Sequence, residues 1–214
     1  MVLGLLVMLG LSSSAFAGIV TTGSVISVAT PPADNANGTL TSASLIYVWY
    51  EGKTTTASAV TLERDGATGN FNGLGGPTST LAAGSTVDSF LVHFDTPSGT
   101  TTLSNAAQQS ITFNNEILGV ILSTVQLGAT DTTFGASGTT YTSPNGRGME
   151  SSDLFTISAD RRTLTIRSLR VGAAFVDDLR VIVNPEPGTF ALFGLGVLAL
   201  GGLITRRRKR RPRA

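Results

Sequence analysis

Residues 45–50 read Leu-Ile-Tyr-Val-Trp-Tyr, six apolar or aromatic side chains in a row. Successive side chains of a strand point to opposite faces, so this run is apolar on both, as in a strand covered on both sides. The pattern recurs. Phe90, Val92 and Phe94 share one face of a second run, and Leu91, His93 and Asp95 the other. Ile117–Val125 is a third run, broken by Gly119, and Ser24–Ala29 is short and β-branched. Thr163–Arg167 alternates, with Leu164 and Ile166 facing inward, and Leu179, Val181 and Val183 form the inward row of a last strand. Asn37-Gly38, Asp65-Gly66, Asn72-Gly73 and Asn145-Gly146 lie between the runs, and such dipeptides accept the positive φ of tight turns. No interior stretch carries a sustained helical stripe; Ala106–Ser110 reaches one turn of helix at most. The reading is an all-β domain, a two-sheet antiparallel sandwich of jelly-roll-like kind.

Composition agrees. Only 14% of the 214 residues are charged, against about 25% in an average globular chain, and 25 are glycine. A surface of Ser, Thr, Asn and Gly suits short strands and turns better than evenly charged helices. With no cysteine, disulfides, thiolate metal sites and a cysteine nucleophile are excluded. The net charge of +1 conceals a division: residues 18–184 hold eight basic and 13 acidic side chains, hence −5, while the last nine residues hold Arg206, Arg207, Arg208, Lys209, Arg210, Arg211 and Arg213. A basic run can neutralise phosphates, but this one directly follows an apolar stretch, which points to a topogenic role rather than to nucleic acid.

Both ends read as addresses. Val2–Leu11 is an apolar run followed by three serines and Ala15-Phe16-Ala17, the pattern of a signal peptide spanning 1–17 with cleavage after Ala17. No Lys or Arg precedes the run, a departure from the usual signal. The segment 18–184 is then an extracytoplasmic domain. At the other end Pro185-Glu186-Pro187 precedes an uncharged apolar segment, 189–205, and the basic end 206–214. Seventeen residues lie at the short limit for a transmembrane helix. The arginines place its C-terminus in the cytoplasm and the domain outside. Two prolines lacking an amide hydrogen keep 185–187 extended, which suits a processing enzyme and equally a simple linker ahead of an ordinary anchor.

This order of Pro-Glu-Pro, short membrane segment and Arg-rich end resembles the PEP-CTERM sorting signal. The resemblance covers residues 185–214. It implies export, recognition by an exosortase (a membrane-embedded, transpeptidase-like thiol protease) and a Gram-negative, exopolysaccharide-producing source. The precursor would sit in the inner membrane, and the processed protein at the outer surface or in the extracellular matrix. Val87–Asp95, Ile111–Ile121 and Val176–Val183 are similar in style to ectodomains bearing such tails, and carry over no functional residues.

Within the domain, chemistry is sparse. His93, the lone histidine, must serve any Ser-His-Asp arrangement, yet no G-x-S-x-G elbow accompanies it, and mid-strand it reads as a partly exposed strand residue. One histidine and no cysteine give no zinc site. Glu150 with Asp153 and Asp177 with Asp178 offer carboxylates for a glycosidase pair or a calcium ion, but no D-x-D-x-D-G loop is present, and the expectation is no metal and no cofactor. Trp49 with Tyr47 or Tyr50 is a candidate sugar platform, with core packing favoured by its apolar strand. Gly73–Thr78 fails the nucleotide fingerprint. A non-enzymatic envelope or matrix protein is therefore expected, with exosortase and envelope glycans or exopolysaccharide as partners. A secreted polysaccharide hydrolase or a carbohydrate-binding protein is the alternative.

Overall fold

The computed structural model describes residues 18–72, 76–97, 101–141, 146–172 and 175–185, with backbone alone in 101–108. The signal-cleavage residues Ala15 and Ala17, the motif residues Glu186 and Pro187, the apolar run 189–205 and the basic end lie outside the described residues. Among the described residues no helix is long and apolar enough to cross a membrane.

Among the described residues thirteen strands and one helix follow in chain order: β1 (Ile19–Thr22), β2 (Val25–Val28), β3 (Ile46–Thr55), β4 (Val60–Leu62), β5 (Arg64–Asp65), β6 (Gly69–Asn72), β7 (Ser79–Leu81), β8 (Thr86–Phe94), β9 (Thr101–Phe113), β10 (Ile117–Ile121), α1 (Thr124–Phe134), β11 (Leu154–Ile157), β12 (Thr163–Val171) and β13 (Asp177–Val183). One sheet has the order β1-β9-β12-β11-β6, a second β2-β3-β8-β13-β10-β5, and β4 pairs β7 in a small third. Ile111, Phe113, Phe155, Ile157, Leu164 and Ile166 of the first sheet share a core with Ile46, Val48, Phe90, Val92, Leu179 and Val181 of the second.

The second sheet is also covered on its other face. Trp49, Leu91 and Ile182 pack there against Leu127 and Phe134 of α1 and against Val60, Leu62 and Leu81 of the β4–β7 pair. This third layer explains why the central strands read apolar on both sides: Ile46 and Val48 of β3 serve one core and Trp49 the other. All seven residues of β13 are buried.

The structure departs from the sequence reading in three places. Pairing is antiparallel throughout the named strands except between β2 and β3, which run parallel, Val25 opposite Ile46 and Val28 opposite Trp49. Parallel neighbours need a crossover of about a dozen residues or more, and the 29–45 connection supplies it. Gly38 turns that connection at φ +94°, a value closed to most L residues, and its amide donates to Asp95. Second, Ala106–Ser110 belongs to β9. Third, the apolar run thought to reach Val125 ends as a strand at Ile121, and the chain then enters α1. Ser123 caps that helix, its Oγ accepting from the Gln126 amide at 3.2 Å, while Glu63 Oε2 accepts from the Leu122 and Ser123 amides, both at 2.7 Å. A carboxylate at a helix N-terminus satisfies orphan amides and opposes the positive end of the helix dipole. Asp65-Gly66 is a corner where the chain leaves the second sheet for the first; a Cβ at Gly66 would collide with the Ile117 carbonyl.

Trp49 is fully buried, which excludes it as an exposed sugar platform. Trp49→Ala is expected to lower unfolding stability by about 3–5 kcal/mol in urea titration. A loss below about 1 kcal/mol would contradict the burial described.

Candidate functional site

On the helix-covered face of β13, alternation with Leu179 and Val181 turns Asp178 and Arg180 inward, toward α1. Both are fully buried, and so is His93 on neighbouring β8, against the partial exposure expected for it. The packing that covers β3 and β8 covers His93 as well, its ring 5.8 Å from that of Trp49.

These groups belong to one chain of ion pairs. Arg180 meets Glu51 of β3 bidentately, Nε to Oε2 at 2.7 Å and Nη2 to Oε1 at 2.8 Å. Its Nη2 also donates to Asp131 of α1 at 2.9 Å, and its Nη1 to Thr130 Oγ1 at 2.8 Å. The second oxygen of Asp131 accepts from Arg147 Nη1 at 2.6 Å, and Arg147 Nε donates to Asp178 Oδ2 at 2.5 Å. Asp178 also accepts from Asn35 Nδ2 and pairs with His93 Nδ1, both at 2.8 Å. An ionised carboxylate only accepts, so His93 Nδ1 carries the hydrogen. Ser89 and Tyr141 hydroxyls complete Glu51 at 2.6 and 2.7 Å, and both guanidiniums lie over the Tyr141 ring.

The electrostatics follow from this pairing. Burial alone would raise the Asp178 carboxyl, but His93 and Arg147 outweigh it and hold it below the ordinary range. Burial pulls hardest on Arg180, yet Glu51 and Asp131 together overcome it and raise its pKa. Burial, reinforced by Glu51, pushes the Tyr141 hydroxyl up. Among the described residues His93 Nε2 has no hydrogen-bond partner, so no described serine completes a triad. The seam clamps α1 and the 29–45 connection onto the sheet.

A second cluster lies on the opposite side of the Asp177–Asp178 pair. Glu150, Asp153 and Asp177 bring their carboxylate oxygens within 4.8 Å of one another, and they are the described residues able to hold a metal ion. Asp153 is held by the Glu150 amide on one oxygen, at 2.5 Å, and by the Arg170 amide on the other, at 2.9 Å. Asp177 is 2% exposed, and neither of its oxygens has a hydrogen-bond partner; the Arg170 amide, spent on Asp153, gives it only a weak pull. Burial, then the charges of Asp153 and Glu150, push Asp177 up to about 9. Burial and Asp153 raise Glu150 to about 7, and burial raises Asp153.

The structure thus unites three of the four carboxylates singled out in sequence and sends Asp178 to the other face, as a period of two demands. Tyr47 and Tyr50 are half-buried, Tyr50 bonded to Asp88 at 2.8 Å. Pro185 is the one residue of its tripeptide among the described residues. Glu51, Asp131, Tyr141, Arg147 and Arg180 were not singled out in sequence, although Arg180 within the otherwise apolar strand Leu179–Val183 was a readable sign.

The chain carries a PEP-CTERM protein-sorting motif over residues 185–209. That motif is the exosortase recognition signal and marks an exported, exosortase-processed protein that is membrane-associated before processing. No curated protein and no solved structure matches the chain.

Two outcomes are expected. Arg180→Met keeps the volume but leaves Glu51 and Asp131 without their shared cation; it should lower stability by about 3–5 kcal/mol in urea titration, and a change under about 1 kcal/mol would make the seam incidental. The second concerns pH. Carboxyls whose folded pKa lies above the unfolded value of about 4 favour the folded state when protonated, so their contribution falls as pH rises. With divalent cations chelated, the melting temperature should fall from pH 5.5 to pH 9, and Asp177→Asn should flatten the part between about 7 and 9. Asp178 acts oppositely, its contribution lost only in acid below about pH 4. A wild-type profile flat between pH 5.5 and 9 would refute the raised values.

Proposed function

We propose that this is an envelope or extracellular-matrix protein whose β domain acts structurally or as a binding module, without catalysis. In this reading the signal peptide 1–17 delivers a jelly-roll-like sandwich outside the inner membrane. A transmembrane helix at 189–205, with the arginines on the cytoplasmic side, holds it until exosortase acts at Pro185-Glu186-Pro187. The observation that carries the reading is the sorting motif directly behind β13. A hydrolase needs two carboxyls about 5–10 Å apart that reach substrate; Asp153 and Asp177 are both buried beside exposed Glu150.

Glycan binding is the second reading, supported by a surface cleft of about 540 Å³ beside β6 and β11. Its lining includes Asn70, Asn72, Phe71 and Arg167. Amides and a guanidinium beside an aromatic edge suit sugar hydroxyls and anionic polysaccharide.

Replacing Pro185, Glu186 and Pro187 together with Ala should leave the chain exported and membrane-bound but block processing. The C-terminal peptide would persist, detected through an epitope placed after Ala214. Trimming and release at the wild-type rate would reduce Pro-Glu-Pro to a linker and overturn the sorting role of those residues.

A further inference from the structure

Three carboxylates converge where Asp153, already oriented by two backbone amides, meets Asp177 and Glu150. Acidic side chains gather at many strand ends without a ligand. Asp177 is different: it is almost wholly buried, both of its oxygens lack hydrogen-bond partners, and it faces the other two carboxylates. A carboxylate removed from water without donors is costly, and a cation is the partner that would satisfy it together with its neighbours. The guanidinium of exposed Arg170 draws on Glu150, at the open side of the cluster.

We propose that Glu150, Asp153 and Asp177 form a calcium site, with Asp177 as its buried floor, Asp153 as its amide-oriented wall and exposed Glu150 as its mouth. The donors are all oxygen, without the imidazole or thiolate that favours transition metals. Calcium lies about 2.3–2.6 Å from its ligands, so two oxygens on one ion are at most about 5 Å apart, which accommodates the observed spacing. Each Asp153 oxygen keeps a lone pair after accepting its amide, and the open side at Glu150 admits the waters that bring coordination to six or more. Magnesium holds its own water more tightly and seldom uses a cage of this kind. Only the choice of a weak, extracellular-type site, with Kd about 0.1–1 mM, leans on export; the carboxylate geometry does not.

The test uses the full-length chain, purified in detergent, stripped with EDTA and dialysed at pH 7.5. Adding about 5 mM CaCl2 should raise the melting temperature by about 3–8 °C over NaCl of equal ionic strength. Equal MgCl2 should give less than half of that shift. Glu150→Gln, at an exposed position, and Asp177→Asn should each lose most of the calcium response. Glu116→Gln, beside Asn184 at the far end of β13, should keep it. No calcium-dependent shift in the wild type, an equal shift with magnesium, or an unchanged response in Glu150→Gln would overturn the proposal. None of these readings depends on exosortase processing, so failure here and failure of the sorting role are separable.

Discussion

A charge taken out of water must meet its opposite, and this domain places Asp178 and Arg180 on β13, a strand buried along its whole length. Asp178 and Arg180 occupy one face of β13, whose other face packs the inter-sheet core. Their partners come from everywhere else: Glu51 and His93 from the two strands beyond, Asp131 and Thr130 from the helix, Arg147 and Asn35 from loops. Asp131 joins the two guanidiniums into one chain. The position of α1 is therefore tied to the register of the sheet. Hydrophobic packing of Leu127 and Phe134 would permit a helix to slide; the Asp131 carboxylate, bridging two guanidiniums, does not. Apolar residues of similar volume would often be as stable, so what the seam contributes is a single placement of the third layer.

The same strand shows how side-chain alternation divides labour. Asp177 and Asp178 are adjacent in sequence and electrostatically opposite. Asp178 faces the Arg147 guanidinium, the His93 ring and a buried amide, and its acidity is enhanced; Asp177 faces two carboxylates, and its acidity is suppressed. One residue of offset separates a network of opposite charges from a cluster of like ones.

Sequence made the strands legible because burial on both faces leaves no polar residue in the run, as at Leu45–Tyr50. It made the clustering of Glu150, Asp153 and Asp177 thinkable, since acidic side chains close in sequence or at strand ends are visible. Two things stayed hidden. Helix α1 is rich in threonine and carries Gly128, so its propensity is poor, and only Leu127, Thr130 and Phe134 face inward. It forms because the β4–β7 pair, the sheet and the Glu63 carboxylate give it a bed and a cap, which are tertiary facts. The ionic seam was hidden because its members lie up to 145 residues apart, from Asn35 to Arg180, and each looks like an ordinary surface charge. His93 misled for a related reason: a polar residue in a strand reads as solvent-facing unless a further layer is known to cover it.

The chain has no cysteine, yet loops and strands distant in sequence are stapled at its centre. A disulfide would have needed an oxidant and an isomerase at the destination. Guanidinium–carboxylate clasps assemble wherever the chain folds, indifferent to the redox poise of the compartment. For an exported domain, maturation is thereby uncoupled from thiol chemistry, and a reductant has no disulfide in it to cut.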